Sequence, residues 1–237
     1  MGERPRFDPV TLRAVLFDLD DTLYPEQAYV LSGFRAAAQH GAAVLGLDAA
    51  ALERACVRLF TAGRRSDIFD AALRLLGRPV TPQAVAFLVE AYRTHVPQLH
   101  LPEETAMVLR ALRPRYRLGV ITDGYAAVQR RKVAALGLEP LVDVIVYTDD
   151  WGRAAWKPAP DGFVAALEQL GIAPPQALYV GDNPAKDFIG ARALGLQTIR
   201  LCVAGREHAA VRLDAAREAD IEITRLARLL DLLGCAE

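Results

Sequence analysis

Lysine is nearly absent from this chain. Of its 28 basic residues only Lys132, Lys157 and Lys186 are lysines; the others are arginines. An arginine preference spread along the whole chain is compositional habit and marks no phosphate site, but it makes each lysine worth separate inspection. Cysteine is scarce as well. Cys56, Cys202 and Cys235 are odd in number, widely spaced and free of any C-x-x-C pair, which argues against a disulfide framework or a zinc site and fits a reducing compartment. There is no Walker phosphate loop and no Gly-x-Gly-x-x-Gly turn, so nucleotide-cofactor binding is unsupported. The Met1–Asp8 start lacks the apolar stretch of a signal peptide, and no apolar run is long enough to span a bilayer. Basic and acidic side chains nearly cancel at a net charge of −1, which gives no field to attract nucleic acid or an anionic membrane. These absences predict a cytoplasmic chain, monomeric or homodimeric, with neither nucleic acid nor membrane as a partner.

What the chain does have is apolar surface. At 237 residues and 52% hydrophobic content, it suits one large domain, or one domain with a sizeable insertion. Continuous apolar runs at 14–17, 118–121, 142–147, 177–180 and 198–201 have the length and character of strands covered on both faces, as in a parallel sheet. Helical patterns of crossover length separate them. Pro102-Glu103-Glu104 opens one helix with acids in its first turn, favourable to the backbone dipole. A second spans 126–136, and a third runs from Asp161 to a cap at Gly171. A further helix follows Pro184, and the last is predicted over 225–233. Residues 25–98 differ, because they hold no convincing strand. Val30, Phe34 and Ala38, then Leu52, Cys56 and Leu59, then Ile68, Ala72 and Leu75 repeat at helical spacing, and Thr81-Pro82 forms an N-cap and N1 pair. The predicted architecture is α/β: a Rossmann-like, doubly wound parallel sheet core (1–24 and 99–237) with an α-helical cap inserted at 25–98.

The polar residues that stand out fall at strand ends. Asp18 and Asp20 follow the first strand, Thr122 and Asp123 follow the second, and Asp182 follows Ala177–Val180 through Gly181. Lys157 lies in the loop before the Phe163 helix. In an open parallel sheet, ligands bind beyond the carboxyl ends of the strands where the strand order reverses, so this fold brings remote segments to one crevice. Taken singly, Asp-x-Asp at a strand end is a turn or cap, and Thr-Asp-Gly is a turn signal. Two carboxylates buried at one strand end, however, require a cation or hydrogen bonds to compensate them.

Four segments in order carry a family resemblance. Phe17-Asp-Leu-Asp-Asp-Thr-Leu-Tyr24, Val120-Ile-Thr-Asp-Gly124, Lys157-Pro158 with Asp161 and Phe163, and Gly181-Asp182-Asn-Pro-Ala-Lys-Asp187 resemble the four signatures of the haloacid dehalogenase-like (HAD) hydrolases, in the phosphatase branch with a helical cap after the first signature. The resemblance implies an Mg²⁺-dependent phosphatase acting on a small phosphorylated metabolite. Asp18 is then the nucleophile that forms an aspartyl-phosphate. Asp20 is the general acid and base, and Thr122 hydrogen-bonds the phosphoryl group beside backbone N–H groups near Leu19 and Asp123. Lys157 balances charge on Asp18 and phosphate. Metal ligands are Asp18, Asp182 and the backbone carbonyl of Asp20, with Asp187 orienting Lys157 or a metal-bound water. Many relatives carry Asn where this chain has Asp123. An acid aimed at phosphate repels it, so the expected contribution of Asp123 to substrate binding is its backbone N–H, with the side chain turned away. Cap closure is expected to exclude bulk water, and the cap with the loop from Tyr24 to Tyr29 is expected to set substrate choice among sugar phosphates, phosphoglycolate-like acids and nucleoside monophosphates.

Other conspicuous residues read as structural. The four histidines lack metal-ligand spacing, Trp151 and Trp156 read as packing, Arg64-Arg65 as a solvated pair, and Lys186 as solvent-facing. Three rivals remain. A sugar phosphomutase shares every core residue. A 2-haloacid dehalogenase is disfavoured by Asp20, which that branch lacks. A non-enzymatic binding module is disfavoured by the intact set of nucleophile, acid, lysine and metal ligand.

Overall fold

The computed structural model describes residues 8–235; Met1–Phe7, most of the stretch read above for a signal peptide, lies outside them. The elements run β1 (Ala14–Phe17), α1 (Glu26–Leu45), α2 (Ala49–Thr61), α3 (Ile68–Leu75), α4 (Pro82–Thr94), α5 (Glu103–Leu112), β2 (Arg117–Thr122), α6 (Ala126–Leu136), β3 (Val144–Tyr147), α7 (Asp161–Leu170), β4 (Ala177–Gly181), α8 (Asp187–Leu194), β5 (Gln197–Leu201), β6 (Ile221–Ile223) and α9 (Arg228–Leu232). Six strands form one parallel sheet in the order β3-β2-β1-β4-β5-β6. The fold is therefore α/β, of the open doubly wound kind. Its strand order reverses between β1 and β4, and that point positions everything that follows.

The contacts divide the chain into two compact units, one of the segments up to Pro25 and from His100 onward, the other Glu26–Leu99. In the first, every residue of β1 is buried. Ala14 and Leu16 join Ile121, Val146, Phe163, Ala166, Tyr179 and Phe188 in one cluster beneath α7 and α8. Strand alternation turns Val15 and Phe17 to the opposite face. Burial on both faces explains why these strands read as unbroken apolar runs. The chain leaving β1 is anchored by Thr105 of α5, whose hydroxyl donates to the Leu23 carbonyl at 2.8 Å.

The Glu26–Leu99 unit consists of α1–α4 around Phe34, Leu52, Cys56, Phe69, Leu73 and Leu88. Asp48 caps α2 by accepting from the Ala51 N–H at 2.9 Å, and Thr81 caps α4 by accepting from the Ala84 N–H at 3.2 Å. Gly33 lets α1 lie close to α4, because a β-carbon there would stand 2.5 Å from the Tyr92 ring.

Two elements differ from the sequence reading. The last helix occupies only Arg228–Leu232 instead of 225–233; Leu226 is buried without being in it. The three-residue edge strand β6 was not anticipated, since Ile-Glu-Ile is too short to show a period. Among the described residues no helix is long and apolar enough to cross a membrane.

Candidate active site

Asp18 and Asp182 leave the ends of β1 and β4, the two strands that flank the reversal of strand order. The Asp18 N–H donates to the Val180 carbonyl at 2.9 Å, which pins one strand end to the other. Carboxylate oxygens of Asp18, Asp182 and Asp187 all lie within 4.8 Å of one another. Close approach of Asp187 depends on Gly181, where a β-carbon would meet its carboxylate at 2.6 Å.

Lys157 enters this cluster from the loop before α7. Its Nζ contacts Asp18 Oδ1, and it lies 2.9 Å from Asp187 Oδ1, 2.8 Å from the Tyr179 hydroxyl and 3.3 Å from the Ile121 carbonyl. Burial opposes charge on this lysine, but Asp18, Asp187 and Asp123 outweigh it and hold the ammonium firmly protonated. The other Asp187 oxygen accepts from the Asn183 N–H at 2.9 Å. Burial raises the pKa of Asp187, yet Lys157 and Lys186 bring it below the ordinary carboxylate value.

Asp18 and Asp182 behave differently. Burial raises Asp18 to about 6 despite Lys157, and burial together with Asp187 and Asp18 raises Asp182 to about 9. Asp18 Oδ2 and Asp182 Oδ2 are both buried without a hydrogen-bond partner. Unsatisfied buried carboxylate oxygens are costly, and two within one acidic cluster fit a hard divalent cation, which takes oxygen ligands. Asp187 has both oxygens engaged, so the open positions belong to Asp18 and Asp182.

The chain turns sharply after Asp20, because Asp21 adopts a left-handed conformation at φ 55°, an uncommon one for a residue with a β-carbon. The guanidinium of Arg206 donates to the Asp21 carbonyl. Asp20 consequently meets a different set of partners from Asp18. Its Oδ1 accepts from the Tyr24 hydroxyl at 2.5 Å, its Oδ2 from Gln129 Nε2 at 2.8 Å, and Lys132 Nζ reaches both oxygens at 2.8 and 2.9 Å. Burial raises its pKa, but Lys132, helped by the hydrogen bonds, brings it below the ordinary value.

Thr122, at the end of β2, is buried, and its Oγ1 accepts from Gln129 Nε2 at 2.5 Å. The Asp123 carboxylate braces the lysine loop. Its Oδ1 accepts from the Lys157 N–H at 3.1 Å and from the Thr148 hydroxyl at 2.8 Å, while its Oδ2 lies 3.5 Å from Lys186 Nζ. Lys186 is a correction to the sequence reading. Its side chain is 31% exposed and turns toward acidic groups instead of open solvent, with Asp18, Asp187 and Asp123 raising its pKa against burial and the repulsion of Lys157.

The structure thus brings Asp18, Asp187 and Lys157 into contact with Asp182 close by, and links Asp20 to Thr122 through one glutamine. Gln129, Lys132, Tyr24, Tyr179 and Lys186 escaped the sequence reading. The available signal was the lysine scarcity, since all three lysines pair with an acid of this site. Trp156 packs as expected, donating from Nε1 to Asp149 at 3.1 Å, whereas Trp151 is exposed. His208, read as an ordinary surface residue, lies 3.1 Å from Asn183 beside the acidic cluster.

Residues 15–201 match the model of the haloacid dehalogenase-like hydrolase family. The chain belongs to that family. It is 32% identical over 230 residues to a glyceraldehyde 3-phosphate phosphatase of Methanopyrus kandleri, covering 94% of this chain and 97% of that protein. Among solved structures, a HAD phosphatase from Thermococcus onnurineus superposes with a TM-score of 0.60 at 26% identity, covering 94% and 98% of the two chains. A 2-haloacid dehalogenase from Pseudomonas syringae pv. Tomato does so with a TM-score of 0.62 at 26% identity and the same coverage. The fold therefore serves both phosphoryl and carbon–halogen chemistry, and the side chains must decide between them.

Proposed function

We propose that this chain hydrolyses phosphoric monoesters of small metabolites through an aspartyl-phosphate on Asp18, with Mg²⁺ bound by Asp18, Asp182 and the backbone carbonyl of Asp20. One observation carries the reading: Asp18 has one oxygen held by Lys157 and the other buried with no donor, beside an equally unsatisfied oxygen of Asp182. A carboxylate so placed is fixed in direction and has a vacant lone pair at the strand-order reversal.

Asp18 attacks phosphorus in line with the departing alkoxide, so an Asp18 O–P bond forms as the ester O–P bond breaks. Asp20 gives a proton to the leaving oxygen, then takes one from the water that opens the acyl phosphate, restoring both carboxyl groups. Lys157 and the Thr122 hydroxyl stabilise charge on the phosphoryl oxygens, and the backbone N–H groups near Leu19 and Asp123 complete that cradle. A divalent cation held by Asp18 and Asp182 would lower repulsion between anionic nucleophile and anionic ester. Asp123, its Oδ1 committed to Thr148 and the Lys157 N–H, braces the lysine loop.

The dehalogenase reading makes no use of Asp20. Halide leaves without protonation, whereas an alkoxide does not, and this site surrounds a second carboxylate with four hydrogen bonds. The relative's name makes glyceraldehyde 3-phosphate the first substrate to try. The test is phosphate release over a panel of phosphorylated metabolites with Mg²⁺ or EDTA, run beside chloride release from 2-chloropropionate. Phosphate release dependent on Mg²⁺ and lost in Asp18→Asn supports the reading; full activity in Asp18→Asn, or chloride release alone, ends it.

A further inference from the structure

We propose that Gln129 and Lys132, one turn apart on α6, are positioning residues that fix the Asp20 carboxylate relative to the phosphoryl-binding Thr122. The inference rests on the reading of Asp20 as acid and base. It goes beyond that reading by assigning function to a helix that carries none of the residues proposed to touch substrate.

On α6 the buried side chains are Gln129, Lys132, Val133 and Leu136. That is the inward stripe of an amphipathic helix, with two of its four places held by polar side chains. An apolar pair there would avoid desolvating an ammonium and an amide, and buried ion pairs are often no more stabilising than well-packed apolar replacements. The geometry supplies a reason for the polar pair. Lys132 is 3% exposed and spans both Asp20 oxygens at 2.8 and 2.9 Å, which fixes the plane of the carboxylate. Gln129 Nε2 reaches Asp20 Oδ2 at 2.8 Å and Thr122 Oγ1 at 2.5 Å. One amide nitrogen thereby sets the separation between the proton-transferring group and the hydroxyl that holds the phosphoryl group.

Such a yardstick matters because Asp18 and Asp20 leave the same strand end and must reach opposite sides of one phosphorus atom. The left-handed turn at Asp21 separates their directions, but the Asp20 side-chain torsions remain to be fixed. Displacing a reacting group by about 1 Å costs on the order of 10²-fold in rate.

The readout is dependence on the leaving group. In a series of substituted phenyl phosphates, shape is nearly constant while the need for protonation grows from p-nitrophenyl to phenyl to p-methoxyphenyl. kcat/KM reports the step in which that group departs. Gln129→Leu is expected to lose about 10- to 100-fold in kcat/KM on phenyl phosphate but under about 3-fold on p-nitrophenyl phosphate, as an impaired general acid should. Lys132→Met is expected to show the same order of esters with a smaller loss, because it also removes the cation that favours the ionised carboxylate. Lys132→Arg, which restores a donor, is expected to recover part of the loss on phenyl phosphate. Asp20→Asn serves as the reference and should give the steepest dependence. If Asp20→Asn is steep while folded Lys132→Met and Gln129→Leu keep the wild-type slope or fall equally on all esters, the positioning role is wrong and the acid role survives. If Asp20→Asn itself shows the wild-type slope, the acid reading fails and this inference with it. Should Lys132→Met not fold, Gln129→Leu, which removes no charge, carries the same expectation.

Discussion

The two units of this chain both bury an apolar core, but only one of them buries charge as well. Between Glu26 and Leu99 the fully buried set is apolar or aromatic throughout, centred on Phe34, Leu52, Phe69 and Leu88. The α/β unit buries Asp18, Asp21, Lys132, Lys157, Asp182, Asp187 and Arg200 along with its apolar core. A helical bundle gains from burial wherever an apolar stripe meets another, at roughly 25 cal/mol per Å². A buried carboxylate gains nothing unless a partner is supplied. The contrast shows where stability has been given up for chemistry. The cluster of Asp18, Lys157, Asp182 and Asp187 lies at the carboxyl ends of β1, β2 and β4, and the apolar core of the same unit holds it in place.

The sharpest way to break the contrast is to remove the nucleophile. Asp18→Asn is nearly isosteric and should lower phosphate release by at least about 10³-fold while far-ultraviolet circular dichroism stays native. Retained turnover would make the buried charges structural after all. Lys157→Ala should come next, affecting both properties, because it leaves Asp18 and Asp187 buried without their shared cation. Breaking a buried pair typically costs about 3–5 kcal/mol, to be read from urea unfolding, and phosphate release should fall by about 10²-fold or more. An unaltered unfolding midpoint would show that the cluster relaxes or admits water.

On the helical side, Leu52→Ala should cost about 2–5 kcal/mol from the cavity it leaves, and by the same amount at pH 5 and pH 8, since no charged group lies in that core. The α/β unit should be pH-sensitive instead. The folded pKa values of Asp18, about 6, and Asp182, about 9, lie above the ordinary carboxylate value of 3.8. Their contribution to stability is complete below about pH 4 and is lost as pH rises through those two values. Thermal unfolding in EDTA should therefore occur at lower temperature at pH 9 than at pH 5, with a stabilising shift on adding Mg²⁺ that grows over the same interval. A Mg²⁺ shift of equal size at both ends would separate metal binding from these two carboxylates.

The difference between the units also governs what could be read in advance. The helices of 25–98 announced themselves through one periodic signal, and Thr81-Pro82 marked a helix start that the hydrogen bond to Ala84 bears out. Likewise the unbroken apolar runs of β1 and β4 reflect burial on both faces. Gln129 and Lys132 stayed hidden because an amide and an ammonium on a helix read as its solvated face, and nothing local identifies Asp20, more than a hundred positions away, as their partner. Tyr24 and Tyr179 were concealed for the same reason: an aromatic in an apolar run looks like packing until its hydroxyl finds a carboxylate. Lys186 looked exposed because its nearest acid in sequence is Asp187, its neighbour at the start of α8, whereas its contact is Asp123 from another strand end.

By itself the sequence determined five of the six strands, the helices of 25–98 and the order of the four polar segments, since each of these is a local pattern. Only the tertiary structure decided that Lys157 joins Asp18 to Asp187, that Asp18 and Asp182 keep an oxygen unsatisfied, and that α6 grips Asp20. Hydrogen bonding and desolvation depend on distances of a few ångströms between remote segments, and strand order alone brings those segments together.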